Sequence, residues 1–127
     1  MLAGDFFTPT DRKAIERAVR NAESGSGLDF SVYVGSVDGD SRSYAEGLHT
    51  RLSEPTRSVL IVVDPVARQL EIVTGTQARR FLDDAEVGLA ALGMQTAFAG
   101  GDFVGGIANG VQQLGDHARR PPMRHAD

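Results

Sequence analysis

Two short apolar runs, residues 30–34 and 59–63, dominate the hydrophobic pattern of the chain. In the first run apolar and more polar residues alternate, which predicts a strand whose two faces differ. The second run is continuous and rich in β-branched residues, which is typical of a central strand buried on both faces. Residues 70–74 alternate again, and the tight connection at residues 64–68 predicts an antiparallel hairpin between the second strand and this third one.

Helical spacing of apolar residues occurs in the segments around these strands. Thr8 is a suitable N-cap, and Pro9 a suitable first residue, for a helix that runs to about residue 23. The other predicted helices lie within residues 41–52, 76–81, 84–98 and 102–117. Because a helix connects the first two strands, they are predicted to be parallel. The sequence therefore predicts an α/β fold, a three-layer sandwich in which a small mixed sheet of three or four strands has helices on both faces.

The predicted helix at residues 84–98 differs from the others because its apolar residues lie on all sides. Within residues 85–98, Glu86 is the only charged residue. A helix that is apolar all round is buried, either beneath its own sheet and neighbouring helices or against another chain. The first alternative predicts that this helix is the most buried element of the fold, and the second predicts a surface for a partner.

Length and composition exclude several classes of protein. The 127 residues suffice for one domain with its own core, to which we assign residues 1–118, with residues 119–127 as a flexible tail. The absence of cysteine excludes thiolate metal sites and cysteine nucleophiles, and a net charge of −4 without a basic stripe does not favour nucleic-acid binding. No apolar stretch is long enough for a transmembrane segment and no signal peptide is visible, so the cytoplasm is the expected location.

Three aspartates follow the ends of the two predicted parallel strands. Asp38 and Asp40 lie after the first strand and Asp64 ends the second. Because ligands of open α/β sheets bind at the carboxyl ends of the strands, these carboxylates are expected at one edge, where they would suit Ca²⁺ or Mg²⁺. An EF-hand is excluded, since its sixth and twelfth positions hold Ser43 and His49. The alternative is a structural role, in which the aspartates begin turns and cap the following helix.

The remaining polar residues favour structural roles. Asp83 or Asp84, and also Asp102, are expected to cap helices, and the glycines around Asp102 are expected to permit close packing of the last helix. His49 is expected at the surface, where Glu46 lies one helical turn away. There is no Gly-x-Ser-x-Gly nucleophile elbow and no phosphate-binding loop with its lysine. The sequence therefore names no catalytic residue.

The order of several short motifs resembles that of the TPM domain, named after a thylakoid lumen protein, a photosystem II repair protein and a receptor modulator. These motifs are Phe7-Thr8-Pro9, Ser31-Val32-Tyr33-Val34, Tyr44-Ala45, Leu82-Asp83-Asp84 and Gly101-Asp102-Phe103. More narrowly, residues 30–35, 39–42 and 71–75 resemble DUF5130, a small uncharacterised actinobacterial family. The resemblance implies an α/β sandwich with a mixed sheet. It also implies that some relatives are acid phosphatases or bind calcium through loop carboxylates, and that many act as accessory modules.

Two functional hypotheses follow from the residues and the resemblance. The first, which we favour, is a non-catalytic interaction or accessory module with an unknown protein partner, because no nucleophile with a positioned base is apparent. The second is a divalent-metal-dependent acid phosphatase, a hydrolase in which Asp38, Asp40 and Asp64 hold Ca²⁺ or Mg²⁺ and the ion activates water. Only the second hypothesis requires a cofactor.

Overall fold

The computed structural model describes residues 7–119, in which four α-helices and three strands follow one another along the chain. The helices are α1 (Pro9–Ser26), α2 (Ser41–Thr50), α3 (Asp84–Ala99) and α4 (Phe103–His117), and the strands are β1 (Asp29–Val34), β2 (Ser58–Asp64) and β3 (Gln69–Thr74). Short 3₁₀ turns occur at Pro55–Arg57 and Ala78–Arg80. The predicted strands and long helices are therefore confirmed, and the short helix predicted within residues 76–81 is a 3₁₀ turn.

The sheet has the order β1-β2-β3, with β2 in the middle. β1 pairs parallel to β2, with Val34 opposite Val63, and β2 pairs antiparallel to β3, with Asp64 opposite Gln69. Every residue of β2 is buried, because neighbouring strands cover both of its edges and helices cover both of its faces. The predicted parallel pair, the hairpin and the buried central strand are confirmed, and the sheet has three strands in the part of the chain that is described.

Helices cover the two faces of the sheet unequally. On one face, strand residues such as Phe30, Ile61 and Ile72 form the larger core together with apolar residues of α1, α3 and α4. On the other face, Leu60 and Val62 pack with apolar residues of α2 and the loops beside it. Because side chains alternate between the two faces along a strand, β1 contributes to both cores. The fold is the predicted three-layer α/β sandwich.

Side-chain caps determine where the helices begin. Thr8 and Asp11 form a capping box at the start of α1, in which Thr8 Oγ1 accepts from the Asp11 amide at 3.1 Å and Asp11 Oδ2 accepts from the Thr8 amide at 2.9 Å. Asp83 forms a second capping box with Glu86 at the start of α3, and Asp102 accepts from a first-turn amide of α4 at 2.8 Å. These bonds satisfy amides that have no partner within the helix. The capping roles predicted for Asp83 and Asp102 are confirmed.

One side of α3 is exposed, so the prediction that this helix is the most buried element is wrong. Ala90 and Met94 are buried, whereas Leu89 and Leu92 are 57% and 60% exposed. The buried side packs against α4 and β3, and nothing in the described part of the chain covers the outer side. β2 is the element in which every residue is buried. The apolar residues of α3 therefore form two surfaces, of which only one lies inside the domain.

α4 approaches α3 closely because it carries glycines at the contact. A Cβ atom at Gly106 would lie 2.8 Å from the ring of Phe98, and one at Gly110 would overlap the side chain of Met94. Because protein interiors are close-packed, a larger residue at either position would push the helices apart. The prediction that glycines near Asp102 permit close packing of the last helix is confirmed, and Gly110 has the same role.

His49 is only 8% exposed, so the prediction that it lies at the surface is wrong. Its Nε2 lies 3.0 Å from the carbonyl oxygen of Ser58, the first residue of β2. Since a carbonyl oxygen can only accept, Nε2 carries the hydrogen. The ring thus ties the last turn of α2 to the central strand, a contact that the spacing to Glu46 did not indicate.

The sequence also predicted that the chain has no transmembrane segment and that residues 119–127 form a tail. No helix within residues 7–119 is long and apolar enough to cross a membrane. Of the predicted tail at residues 119–127, only Arg119 is described. The boundary between domain and tail therefore stays a prediction.

Candidate functional site

The loops that follow β1 and β2 meet at one edge of the sheet, as the parallel pairing of these strands requires. The backbone amide of Val37 donates to Oδ2 of Asp64 across 3.1 Å. The loop that carries Asp38 and Asp40 therefore lies against the end of β2. The prediction that the two strand ends converge at one edge is confirmed.

Asp64 is only 6% exposed, and backbone amides occupy its carboxylate. Besides the amide of Val37 at Oδ2, the amides of Val66 and Ala67 donate to Oδ1 at 3.1 and 3.0 Å. A carboxylate has about four lone-pair sites, so these bonds leave little capacity for a metal ion. Asp64 holds the β2–β3 turn and joins it to the β1 loop, as the structural alternative predicted, and its environment fits a metal ion poorly.

Asp38 and Asp40 differ from Asp64 because both are exposed. Asp40 is the N-cap of α2: its Oδ2 accepts from the amide of Ser43 at 2.8 Å, and this hydrogen bond lowers the pKa of Asp40. Within residues 7–119, no group of three or more His, Cys, Asp or Glu side chains is arranged to hold a metal ion. Binding of Ca²⁺ or Mg²⁺ by Asp38, Asp40 and Asp64 stays a prediction. Of these three predicted ligands, Asp64 is the least suited to bind a metal ion.

A pair of tyrosines closes the α2 side of this edge. The Tyr33 hydroxyl donates to the carbonyl oxygen of Ser36 at 2.7 Å, and the hydroxyl groups of Tyr33 and Tyr44 form a hydrogen bond with their oxygens 3.3 Å apart. The hydrogen bond with Tyr44, followed by burial and by electrostatic interactions with Tyr44, Asp38 and Asp64, raises the pKa of Tyr33 to about 12. Tyr33 is therefore a neutral hydrogen-bonding group at neutral pH and not a base.

A cleft of about 490 Å³ lies on the α3 side of Asp64, between the β2–β3 turn and the α3–α4 connection. The sheet contributes Val63 and Leu70 to its lining, and the two helices contribute Phe98 and Phe103. The two phenylalanine rings stack with their centroids 5.0 Å apart. The floor of the cleft is therefore apolar and is built by residues that are distant in the sequence.

Polar residues occupy the rim of this cleft, among them Arg68, Gln69 and Gln95. Within residues 7–119, Arg68 is the one residue other than glycine with a positive φ, at 58°. This left-handed conformation costs roughly 1–2 kcal/mol for an L-residue. It is maintained here because the hydrogen bonds of Asp64 fix the turn. The tight turn was predicted from the sequence, but its position beside a cleft was not.

The cleft borders the exposed side of α3 at the end of the helix. Leu92, Gln95 and Ala99 follow one another at helical spacing, and the last two line the cleft. Leu89 lies one turn before Leu92. We call Leu89, Leu92, Gln95 and Ala99 the α3 surface. Residues 87–99 include no charged residue, so the middle and the end of this helix present an uncharged side to solvent, on which Leu89 and Leu92 are the large apolar residues.

The edge strand β3 is partly covered by Arg42 of α2. Arg42 Nη1 donates to the carbonyl oxygen of Ile72 at 2.8 Å and lies 3.5 Å from Glu71 Oε1. Exposed edge strands are templates for pairing with another chain, and side chains that occupy their backbone groups prevent it. The edge of β3 is therefore a poorer docking surface than the side of α3.

The chain matches the model of one protein family over residues 3–115, and the description of that family is "Domain of unknown function (DUF5130)". The chain belongs to the DUF5130 family. This DUF5130 domain is 24% identical over 108 residues to uncharacterised proteins from two strains of Mycobacterium tuberculosis. The match covers 85% of this chain but only 65% of the length of each of these curated relatives. The resemblance to DUF5130 is confirmed, and the wider relation to TPM domains stays a prediction.

Three solved structures share the fold of this DUF5130 domain. The BA42 protein of the psychrophilic bacterium Bizionia argentinensis matches with a TM-score of 0.81 and 22% identity, over 90% of this chain and 82% of that one. The N-terminal domain of the cg2496 protein of Corynebacterium glutamicum matches with 0.76 and 19% identity, over 96% and 83%. The N-terminal domain of a protein from P. gingivalis matches with 0.76 and 15% identity, over 89% and 76%. At these identities the likeness supports the fold alone.

Proposed function

We propose that this DUF5130 domain is a non-catalytic interaction module that binds a protein partner through the α3 surface. The exposure of Leu89 and Leu92 carries the proposal: they are 57% and 60% exposed, on a helix without charge over residues 87–99. Extended apolar patches on a protein surface mark binding sites. The location that we expect for this role is the cytoplasm.

The glycines of α3 support the same proposal, because folding alone does not explain them. Gly88 lies within the helix, and a Cβ atom there would meet nothing within 4 Å. A glycine within a helix costs roughly 0.5–1 kcal/mol relative to alanine. Gly93 is also exposed, and the nearest atom to a Cβ there would be Gln113 Oε1 at 3.9 Å. Glycines beside exposed leucines would allow a partner to approach the helix backbone closely.

The alternative function, a divalent-metal-dependent acid phosphatase, has weaker support. Of its three predicted ligands, Asp64 accepts three backbone hydrogen bonds and Asp40 caps α2. A phosphatase also needs a group that activates water or attacks phosphorus, and the best general bases have a pKa near the working pH. Tyr33, with a pKa of about 12, is far from this range. The phosphatase stays an alternative prediction.

The proposal can be tested by capturing partners from cells that naturally produce the protein. Leu92→Glu places a carboxylate on the α3 surface, and the fold should tolerate it because Leu92 is 60% exposed. Gly47→Glu is the matched control, because it adds the same side chain to α2, on the other face of the sheet, where a Cβ atom would meet nothing within 4 Å. We expect a protein that the wild type and Gly47→Glu retain and that Leu92→Glu loses. The purified partner should show the same difference in direct binding.

Two results would contradict this proposal. The first is that Leu92→Glu and Gly47→Glu retain every captured protein equally, which would exclude the α3 surface as the docking site. The second is turnover of p-nitrophenyl phosphate that requires Mg²⁺ or Ca²⁺ and disappears in Asp38→Asn. Because Asp38 is exposed, that variant should stay folded, and the loss would indicate the phosphatase.

A further inference from the structure

We infer that the cleft beside the α3 surface binds a partner segment in which an apolar side chain, seated in the cleft, is followed or preceded by a carboxylate that pairs with Arg68. The inference rests on the proposed function, because it names the chemistry of the segment that docks there. Its occupant is a peptide segment of another protein, with an apolar residue next to Asp, Glu or a C-terminal carboxylate.

The floor of the cleft explains the apolar half of this preference. Phe98 and Phe103 stack on one side, with Val63 and Leu70 of the sheet also in the lining. A volume of about 490 Å³ lies within the range of sites that bury small ligands. Aromatic rings bury large apolar areas, and pairs of rings attract one another beyond that burial. An aromatic or branched aliphatic side chain is therefore the natural occupant.

Arg68 explains the acidic half. Among residues 7–119, no carboxylate lies within ion-pair distance of its guanidinium. The carboxylate of Asp64, which also lines the cleft, is already engaged by three backbone amides. The neighbouring rim residues Gln69 and Gln95 are neutral and can donate hydrogen bonds. A guanidinium without an ion-pair partner is suited to a carboxylate, which it can bind through two parallel hydrogen bonds.

The turn that carries Arg68 is ordered before any partner binds. Asp64 Oδ1 accepts from the amides of Val66 and Ala67, and the backbone of Arg68 is held at a φ of 58°. A residue other than glycine keeps this conformation only where the surrounding structure fixes it, as this hairpin turn does. Because the backbone is already in place, binding requires little loss of backbone freedom, which favours affinity.

The inference can be tested by selecting a random peptide library, displayed on phage, against the purified domain. We expect the enriched sequences to place an apolar residue next to Asp or Glu. A synthetic peptide of the enriched sequence is then titrated into labelled protein and followed by NMR. The amides of Arg68, Gln69 and Ala99 should shift, because they surround the cleft.

Variants at the cleft test whether the charge of Arg68 contributes to peptide binding. Arg68→Asn removes the guanidinium, and the turn should survive because Asn tolerates the left-handed conformation. Gln95→Glu places a negative charge at the rim, which repels the carboxylate of the peptide. Each should weaken binding of the acidic peptide by roughly fivefold, the effect of one exposed ion pair. Gln112→Glu, on an exposed position of α4, is the matched control and should leave the affinity unchanged. Replacing the peptide's Asp by Asn should abolish the effect of Arg68→Asn.

Several results would overturn the inference. These are a selection that enriches no peptide, enriched peptides without an acidic residue, and equal affinity of the wild type and Arg68→Asn for the acidic peptide. Decanoate can be titrated into the labelled protein in the same way. If decanoate shifts these amide signals and the peptides do not, the cleft binds a small apolar acid instead. All these failures concern the cleft alone, whereas the proposed function fails separately if Leu92→Glu retains every captured partner.

Discussion

Oδ2 of Asp64 accepts a hydrogen bond from the backbone amide of Val37 at 3.1 Å, and this contact joins the ends of two parallel strands. Val37 lies in the loop after β1, and Asp64 ends β2. Because Oδ1 of the same carboxylate accepts two amides of the following turn, one buried side chain organises both loops. An aspartate at the carboxyl end of a strand, which is typical of a ligand site, is here a structural residue.

Removing this carboxylate should destabilise the fold. We expect Asp64→Ala to lower the free energy of unfolding by roughly 1–3 kcal/mol, because buried amides lose their acceptor. Asp64→Asn keeps one side-chain oxygen and should cost less. Urea denaturation measures both effects. Asp38→Ala is the matched control, since Asp38 is exposed and should contribute less than about 0.5 kcal/mol. Equal stabilities of Asp64→Ala and Asp38→Ala would contradict the structural role of Asp64.

The metal prediction can be examined with the same variants. An ion that binds only the native state raises the melting temperature by mass action. We expect any rise in melting temperature on addition of Ca²⁺ to disappear in the double variant Asp38→Asn/Asp40→Asn, and to persist in Asp64→Asn, whose wild-type oxygens already accept three amides. Thermal unfolding with and without Ca²⁺ decides this. A rise that survives the double variant would place the ion elsewhere.

Tyr33 should make the stability dependent on alkaline pH. Its pKa rises from an ordinary value of 10.0 to about 12 in the folded protein, chiefly through the hydrogen bond with Tyr44. A raised folded-state pKa contributes stability below pH 10, and this contribution is lost as the pH rises from 10 to 12. The chain has two tyrosines and no tryptophan, so the ultraviolet absorbance of tyrosinate follows the ionisation directly.

Two variants assign this titration. Tyr33→Phe should remove the step near pH 12, and its stability should depend less on pH between 10 and 12. Tyr44→Phe deletes the largest cause of the shift, so the remaining Tyr33 should ionise closer to its ordinary pKa. If Tyr33 in the Tyr44→Phe variant still ionises near pH 12, the hydrogen bond between the hydroxyl groups does not cause the shift.

Local signals explain why the sequence predicted most of the fold. Apolar and more polar residues alternate in β1, whereas β2 is continuously apolar. These patterns predicted alternating burial in β1 and complete burial in β2, and the structure confirms both. The caps at Thr8, Asp83 and Asp102 act on amides three residues away, so short sequence patterns reveal them without knowledge of the tertiary structure. The meeting of the β1 and β2 loops follows from the parallel pairing.

Contacts between distant segments could not be predicted in this way. His49 is buried because its ring reaches the carbonyl of Ser58 in the central strand, and helical spacing says nothing about that strand. The cleft combines the β2–β3 turn with the end of α3, and no motif connects these segments. Periodicity also showed that α3 is apolar on all sides without showing how many layers surround it. The exposed position of Leu89 therefore emerged only from the structure.

The two sides of α3 should respond differently to substitution. Met94 is 1% exposed and packs against Gly110, so Met94→Ala should lower the free energy of unfolding by roughly 2–5 kcal/mol, the usual cost of emptying a buried methionine site. Leu89 is 57% exposed, so Leu89→Glu should change the free energy of unfolding by less than about 0.5 kcal/mol. Urea denaturation compares the two variants, and light scattering reports whether Leu89→Glu alters assembly.

The stability and the assembly of Leu89→Glu together show what covers the outer side of α3. If Leu89→Glu unfolds the protein as strongly as Met94→Ala, the outer side of α3 is covered within the domain, and both the α3 surface and the proposed docking site are wrong. If Leu89→Glu keeps its stability but changes the molecular mass in solution, the partner of this side is a second copy of the chain. A stable variant of unchanged mass that loses its captured partner is the result we expect, because the exposed leucines then bind a different protein.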